Sequence, residues 1–228
     1  MAQTPGEAPI NPLPPVVVAL FLMIVGVEVV FSLGARGIIG GPGAVGWRLA
    51  ALERYGFSSE LFRWMFETGQ FRPQHLLRLV SYPFVHGSFT HAAFAGVMLL
   101  ALGKMVGEAL GDVRTIAVFV ASAVGGAVIF GFLAPGRALL IGAFPAVYGL
   151  IGAFTYMLWL RLGQVGEQQV RAFTLIGVLL GLQLIFGLLF GGGPDWIADI
   201  GGFVVGFVLT IVLVPGGWAR LRDRLRHR

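Results

Sequence analysis

Four titratable side chains stand in or beside long apolar runs, where a charge is costly: Glu28, His86, His91 and Asp199. A carboxylate in lipid is read first as part of a site, because it needs a partner to be tolerated there. Imidazole is the usual general base near neutral pH. Three chemistries follow from these residue types. Ser88 lies three residues before His91, with Ser81 nearby, so a serine–histidine pair is one; two side chains on one turn rarely reach the in-line geometry that a base needs. A pair of carboxylates sharing one proton is another, and only Glu28 could partner Asp199. A metal held by His86, His91 and Asp199 is the third, opposed by a spacing that turns the two imidazoles about 140° apart on a single helix. Neither a metal nor a cofactor is expected. The chain has no cysteine, which removes thiol nucleophiles, disulfides and Cys-based metal sites.

The elements that must position these groups belong to a membrane protein. Of 228 residues, 57% are hydrophobic and 12% charged, with a further 35 glycines. A soluble domain averages about 25% charged residues, so the surface of a water-soluble globule cannot be built from this composition. Six runs are long enough to cross a hydrocarbon core, at 15–35, 84–103, 113–133, 138–160, 170–190 and 194–214. The expected fold is an all-α integral membrane protein with six transmembrane helices. No Lys or Arg precedes the first run and Glu28 interrupts it, so it reads as a retained span rather than a signal peptide.

The formal charge of +5 is carried by 15 Arg and a single Lys, most of them between and after the runs. Arg220, Arg222, Arg224, Arg226 and Arg228 form the densest cluster, and Lys104, Arg114, Arg161 and Arg171 fall in loops on the same side. The positive-inside rule makes that side cytoplasmic, with both termini there. The organisation is thus a short cytoplasmic segment at 1–14, a membrane domain at 15–214 with a long outer loop at 35–80, and a basic tail at 215–228. Within the loop, Trp47, Leu49 and Leu52, then Leu61, Trp64 and Met65, recur at helical spacing and predict amphipathic helices at the interface. The tail, led by Trp218, is expected to rest on anionic headgroups, and nucleic acid is not needed to explain the charge.

Pro145 interrupts the fourth run, and a proline costs nothing only in the first turn of a helix. A short fourth helix over 145–160 is predicted, preceded by irregular backbone, which at membrane depth is tolerated only beside a cavity or buried in protein. Asp199 follows Pro194 by about 7 Å of helix rise. Gly202 and Gly206 share its face and allow a close helix approach, as do the pairs Gly149 and Ala153, and Gly177 and Gly181. The topology brings Glu28, His86, His91, Phe144 and Asp199 to the outer half of the membrane.

These landmarks resemble the rhomboid family of intramembrane serine proteases, from about Arg78 to Gly206. Phe84-Val-His86 with His91 is similar to the family's pattern on its second helix, and Gly103 and Glu108 to its next landmarks, the Glu one place out of register. The nucleophile frame Gly-x-Ser-Gly-Ala-(Val/Ile)-x-Gly-Leu is matched by Gly142-Ala143-Phe144-Pro145-Ala146-Val147-Tyr148-Gly149-Leu150. The base frame Ala-His-Leu-Gly-Gly-Phe-x-x-Gly is matched by Ala198-Asp199-Ile200-Gly201-Gly202-Phe203-Val204-Val205-Gly206. The resemblance therefore puts Phe144 at the nucleophile position and Asp199 at the base position. Of the oxyanion positions, His91 is kept and Ala95 replaces an Asn. A benzyl ring has no proton to lose and no lone pair, so acyl transfer cannot begin there.

The reading this implies is a pseudoprotease-like member in a bacterial inner membrane, a non-catalytic binder of other proteins' transmembrane segments in membrane-protein quality control or assembly. Phe144 would fill the nucleophile site, His86, Pro145, Tyr148, Gly149, Gly202 and Gly206 would shape or pack the groove, and Asp199 would be stabilised by His91 or His86. Two alternatives remain: an intramembrane serine endopeptidase with a relocated nucleophile, and a small transporter or channel using Asp199 and Glu28, whose cue would be inverted repeats.

Overall fold

In lipid every backbone N–H and C=O must find its partner within the segment, which is why the apolar runs become helices. The computed structural model describes residues 12–190 and 192–214. The basic tail and most of the segment at 1–14 lie outside the described residues. Helix α1 spans Pro15–Ala35, with proline in its first turn where no donor is lost. The long loop folds into α2, Trp47–Tyr55, a two-residue strand β1, Phe57–Ser58, and α3, Ser59–Thr68. Ser58 caps α3 by accepting from the Leu61 N–H at 3.3 Å. Phe62 and Met65 of α3 are buried, whereas α2 buries no residue fully.

Two long helices follow, α4 at Phe89–Leu110 and α5 at Asp112–Leu133, separated by Gly111 alone. That turn requires φ +80°, open to glycine and strained for other residues. After α5 come β2, Leu139–Leu140, then α6, Phe144–Gln164, α7, Thr174–Phe190, and α8, Trp196–Leu213. β1 and β2 pair antiparallel, Phe57 opposite Leu140, and so tie the long loop to the segment leading into α6. Arg63 reinforces the tie by donating to the carbonyls of Gly131 and Ala134, each at 3.0 Å, and of Gly136. These include carbonyls that the end of α5 leaves without helical partners.

Among the described residues, α1, α4, α5, α6 and α8 are long and apolar enough to cross a membrane, and α7 is an apolar helix of 17 residues. Phe94, Val97, Val204 and Val208 are exposed, as faces turned to acyl chains would be.

Three predicted boundaries are corrected. The second run turns helical only at Phe89, because Pro83, Gly87 and the Ser88 cap hold 82–88 in a 3-10 turn and bends, and the helix then continues to Leu110. The fourth helix starts within one residue of the expected place but continues to Gln164. Its 21 residues reach about 30 Å at 1.5 Å per residue, so it is not too short to cross. The fifth run opens with a 3-10 turn over Gln169–Phe173, delaying α7 to Thr174.

The core lies where α6 meets α5 and α8. A Cβ on Gly202 would overlap the Pro145 carbonyl, and one on Gly206 the Gly149 carbonyl, so α8 rests backbone to backbone on α6. Gly149 in turn admits the Ser122 side chain of α5. The Gly177 and Gly181 pair makes no such contact among the described residues, since a Cβ on either would meet nothing within 4 Å.

Candidate functional site

The site is assembled around the turn that leads into α6. Gly142 has φ +85°, and a Cβ there would press on the His91 ring at 2.7 Å and the His86 ring at 3.2 Å, so only glycine fits this bend. Its N–H donates to the Tyr82 carbonyl at 3.0 Å, and the Ala143 N–H donates to His86 Nε2 at 3.3 Å. His86 is therefore a bracket for the backbone before α6, its Nε2 an acceptor. It sits ahead of α4 rather than on it, so the helical spacing argument does not describe the two imidazoles. Their centroids are 5.1 Å apart in an edge-on arrangement. Among the described residues no three His, Asp or Glu side chains are gathered as metal ligands.

Phe144 opens α6 and stacks face to face on His91, with centroids 5.2 Å apart and planes at 11°. Pro145 takes the next place in the first turn, where its missing N–H is not needed. Ala95, one turn beyond His91 on α4, is fully buried and offers no donor. Ser88 accepts from the His91 backbone N–H at 3.1 Å as the cap of α4, and Ser81 donates to the Tyr55 carbonyl at 3.0 Å. Both hydroxyls hold backbone, and neither is hydrogen-bonded to an imidazole nitrogen among the described residues.

Asp199, in the first turn of α8, is buried at 3% exposure. Its Oδ2 accepts from Gln183 Nε2 at 2.8 Å, and Gln183 Oε1 accepts from the Tyr148 hydroxyl at 3.4 Å. The expected histidine partner is thus replaced by an amide. Asp199 Oδ1 is buried with no hydrogen-bond partner among the described residues. These groups face one cavity of about 290 Å³, lined by His91, Phe144, Pro145, Tyr148, Gln183 and both Asp195 and Asp199, among others. Phe144 and Asp199, inferred from separate motifs, therefore share one cavity.

Glu28 does not join them. Its Oε1 accepts from Ser32 at 2.8 Å and Arg48 at 2.6 Å, and its Oε2 accepts from Arg48 at 2.8 Å. The same guanidinium donates to the His86 carbonyl at 2.9 Å, linking α1, α2 and the turn before α4. Its hydrogen bonds to Glu28 raise the Arg48 pKa further, so the guanidinium stays charged. Glu28 is a structural acid, and the carboxylate pair with Asp199 is not formed.

Sequence reasoning missed Gln183, Asp195 and Arg48. Gln183 could have been found, since it and Thr174 are the only polar side chains between 174 and 190. Arg48 carried no such signal, being one of six arginines in a polar loop.

A rhomboid domain model matches residues 73–216, which takes in α4 to α8 and the cavity. RHOMBOID-like protein 4 of Arabidopsis thaliana is 28% identical over 149 residues, covering 64% of this chain and 37% of that protein. RHOMBOID-like protein 5 of the same plant is 30% identical over 138 residues, covering 60% of this chain and 44% of that protein. The matched stretch spans less than half the length of either relative.

Proposed function

The chain belongs to the rhomboid family, a group of multi-pass membrane proteins, and we propose that it is a member without peptidase activity that binds transmembrane segments of other proteins and leaves them uncut. The observation that carries this reading is the Phe144 ring stacked at 5.2 Å on His91, at the start of α6 where the family motif has its serine. Hydrolysis by that motif needs a nucleophile within reach of a base, and here an arene faces an imidazole while a carboxylate holds the base position. Loss of nucleophile or base in a serine protease costs about a million-fold in kcat. The glycine-lined contact between α6 and α8 supports the reading from the other side, because the scaffold that would hold a segment is kept while the reacting groups are not.

The role we assign is recognition of segments in membrane-protein quality control or assembly. The arginine distribution supports an orientation with both termini cytoplasmic, and a bacterial inner membrane is the setting we infer for it. Relocation of the nucleophile to Ser88 is disfavoured by its use as a helix cap.

The test is restoration. Purified protein in liposomes with a single-pass rhomboid reporter is expected to release no fragments. The variant carrying Phe144→Ser, Pro145→Gly, Ala95→Asn and Asp199→His together is expected to gain cleavage. A matched variant with the last three changes alone, keeping Phe144, is expected to remain silent. Fragments from the unaltered protein would refute the reading.

A further inference from the structure

The cavity at the start of α6 has acceptors to spare. Asp195 and Asp199 both line it, and among the described residues its lining holds no Lys or Arg. Two donors on its walls are already used: the Tyr148 hydroxyl by Gln183 Oε1, and one N–H of the Gln183 amide by Asp199 Oδ2. His91 turns its ring face to Phe144. That leaves Asp199 Oδ1, on a cavity-lining side chain only 3% exposed, with nothing to accept from among the described residues. A buried carboxylate oxygen without a donor is unfavourable, and an N–H carrying positive charge is the strongest donor that could satisfy it.

We propose that this cavity is a receptor for a basic side chain, the ammonium of Lys or the guanidinium of Arg, borne near the end of a partner's transmembrane segment. The inference rests on the segment-binding reading and says which segments are chosen. A basic residue in a hydrocarbon span is itself costly, so the cavity and the segment each supply what the other lacks. An apolar segment would find the same groove but leave Asp199 Oδ1 unpaired, and an acidic one would add a third carboxylate. Selectivity therefore comes from charge, and affinity for apolar segments from the groove.

The test uses the full chain in phosphatidylcholine liposomes, which carry no net headgroup charge, with dye-labelled leucine-based segments of about 23 residues. Three segments differ only in one residue within two turns of the end: Lys, Leu or Glu. The Lys segment is expected to bind about tenfold more tightly than the Leu segment, equivalent to about 1.4 kcal/mol, and the Glu segment more weakly than either. Asp199→Asn, with nearly the same shape, should erase the preference for the Lys segment over the Leu segment. Asp199→Glu should keep part of it. Equal binding of the Lys and Leu segments, a preference for Glu, or a Lys preference that survives Asp199→Asn would each overturn the proposal while leaving segment binding intact. Failure of all three segments to bind would remove the segment-binding reading and this inference with it.

Discussion

Two acids are buried in the described membrane region, and they are treated in opposite ways. Glu28 is 4% exposed and both of its oxygens are used, three hydrogen bonds reaching it from Ser32 and Arg48. Asp199 is 3% exposed and has one hydrogen bond among the described residues, from a neutral amide, while its side chain lines a cavity. An acid with both oxygens bonded and a cation beside it binds the protein's own parts together. An unsaturated one keeps capacity for something else. Burial alone does not separate the two acids, whereas the number of their hydrogen-bonded oxygens does.

That contrast is broken most forcefully at Arg48. Arg48→Met leaves Glu28 without its cation and frees the His86 carbonyl, and should destabilise the protein by about 3 to 5 kcal/mol, read as a large fall in the melting temperature in detergent. Adding Glu28→Gln to that variant should recover part of the loss, since the uncompensated charge is removed. Gly202→Val comes next. It forces a side chain onto the Pro145 carbonyl and should cost about 1 to 3 kcal/mol, with segment binding lost as the α6 and α8 contact opens.

Gln183→Leu removes the one donor that Asp199 has among the described residues, at an expected cost of about 1 to 3 kcal/mol by thermal melting. The smallest effect is expected at Asp199→Asn. The carboxamide oxygen can still accept from Gln183, and no second partner is lost among the described residues, so stability should fall by less than in the other three variants. If instead Asp199→Asn destabilised the protein as much as Arg48→Met, the two acids would be alike and Asp199 would be structural.

Much of this is legible from residues alone. Pro145 sets the start of α6 to within one residue, because its missing donor admits few positions. Phe144 and Asp199, far apart in sequence, are linked by two motif frames and share a cavity in the structure. The Gly149, Gly202 and Gly206 spacing marks a close helix contact that the structure contains. What cannot be read has a common cause, namely partners chosen by tertiary geometry. Glu28 reads as the only acid that could partner Asp199, whereas the fold pairs it with Arg48, 20 residues away on α2. His86 reads as helical because the run is apolar, yet the Ser88 cap shifts the start of α4 past it. Gln183 gives a signal, a lone amide in an apolar helix, but the acid it serves follows on a different helix.

The central claim is that no acyl-transfer nucleophile operates in this chain, and covalent labelling tests it most directly. Purified protein incubated with a fluorophosphonate probe and weighed intact by mass spectrometry should show no added mass. A stoichiometric adduct, lost in Ser88→Ala and retained in Phe144→Ala, would contradict the account.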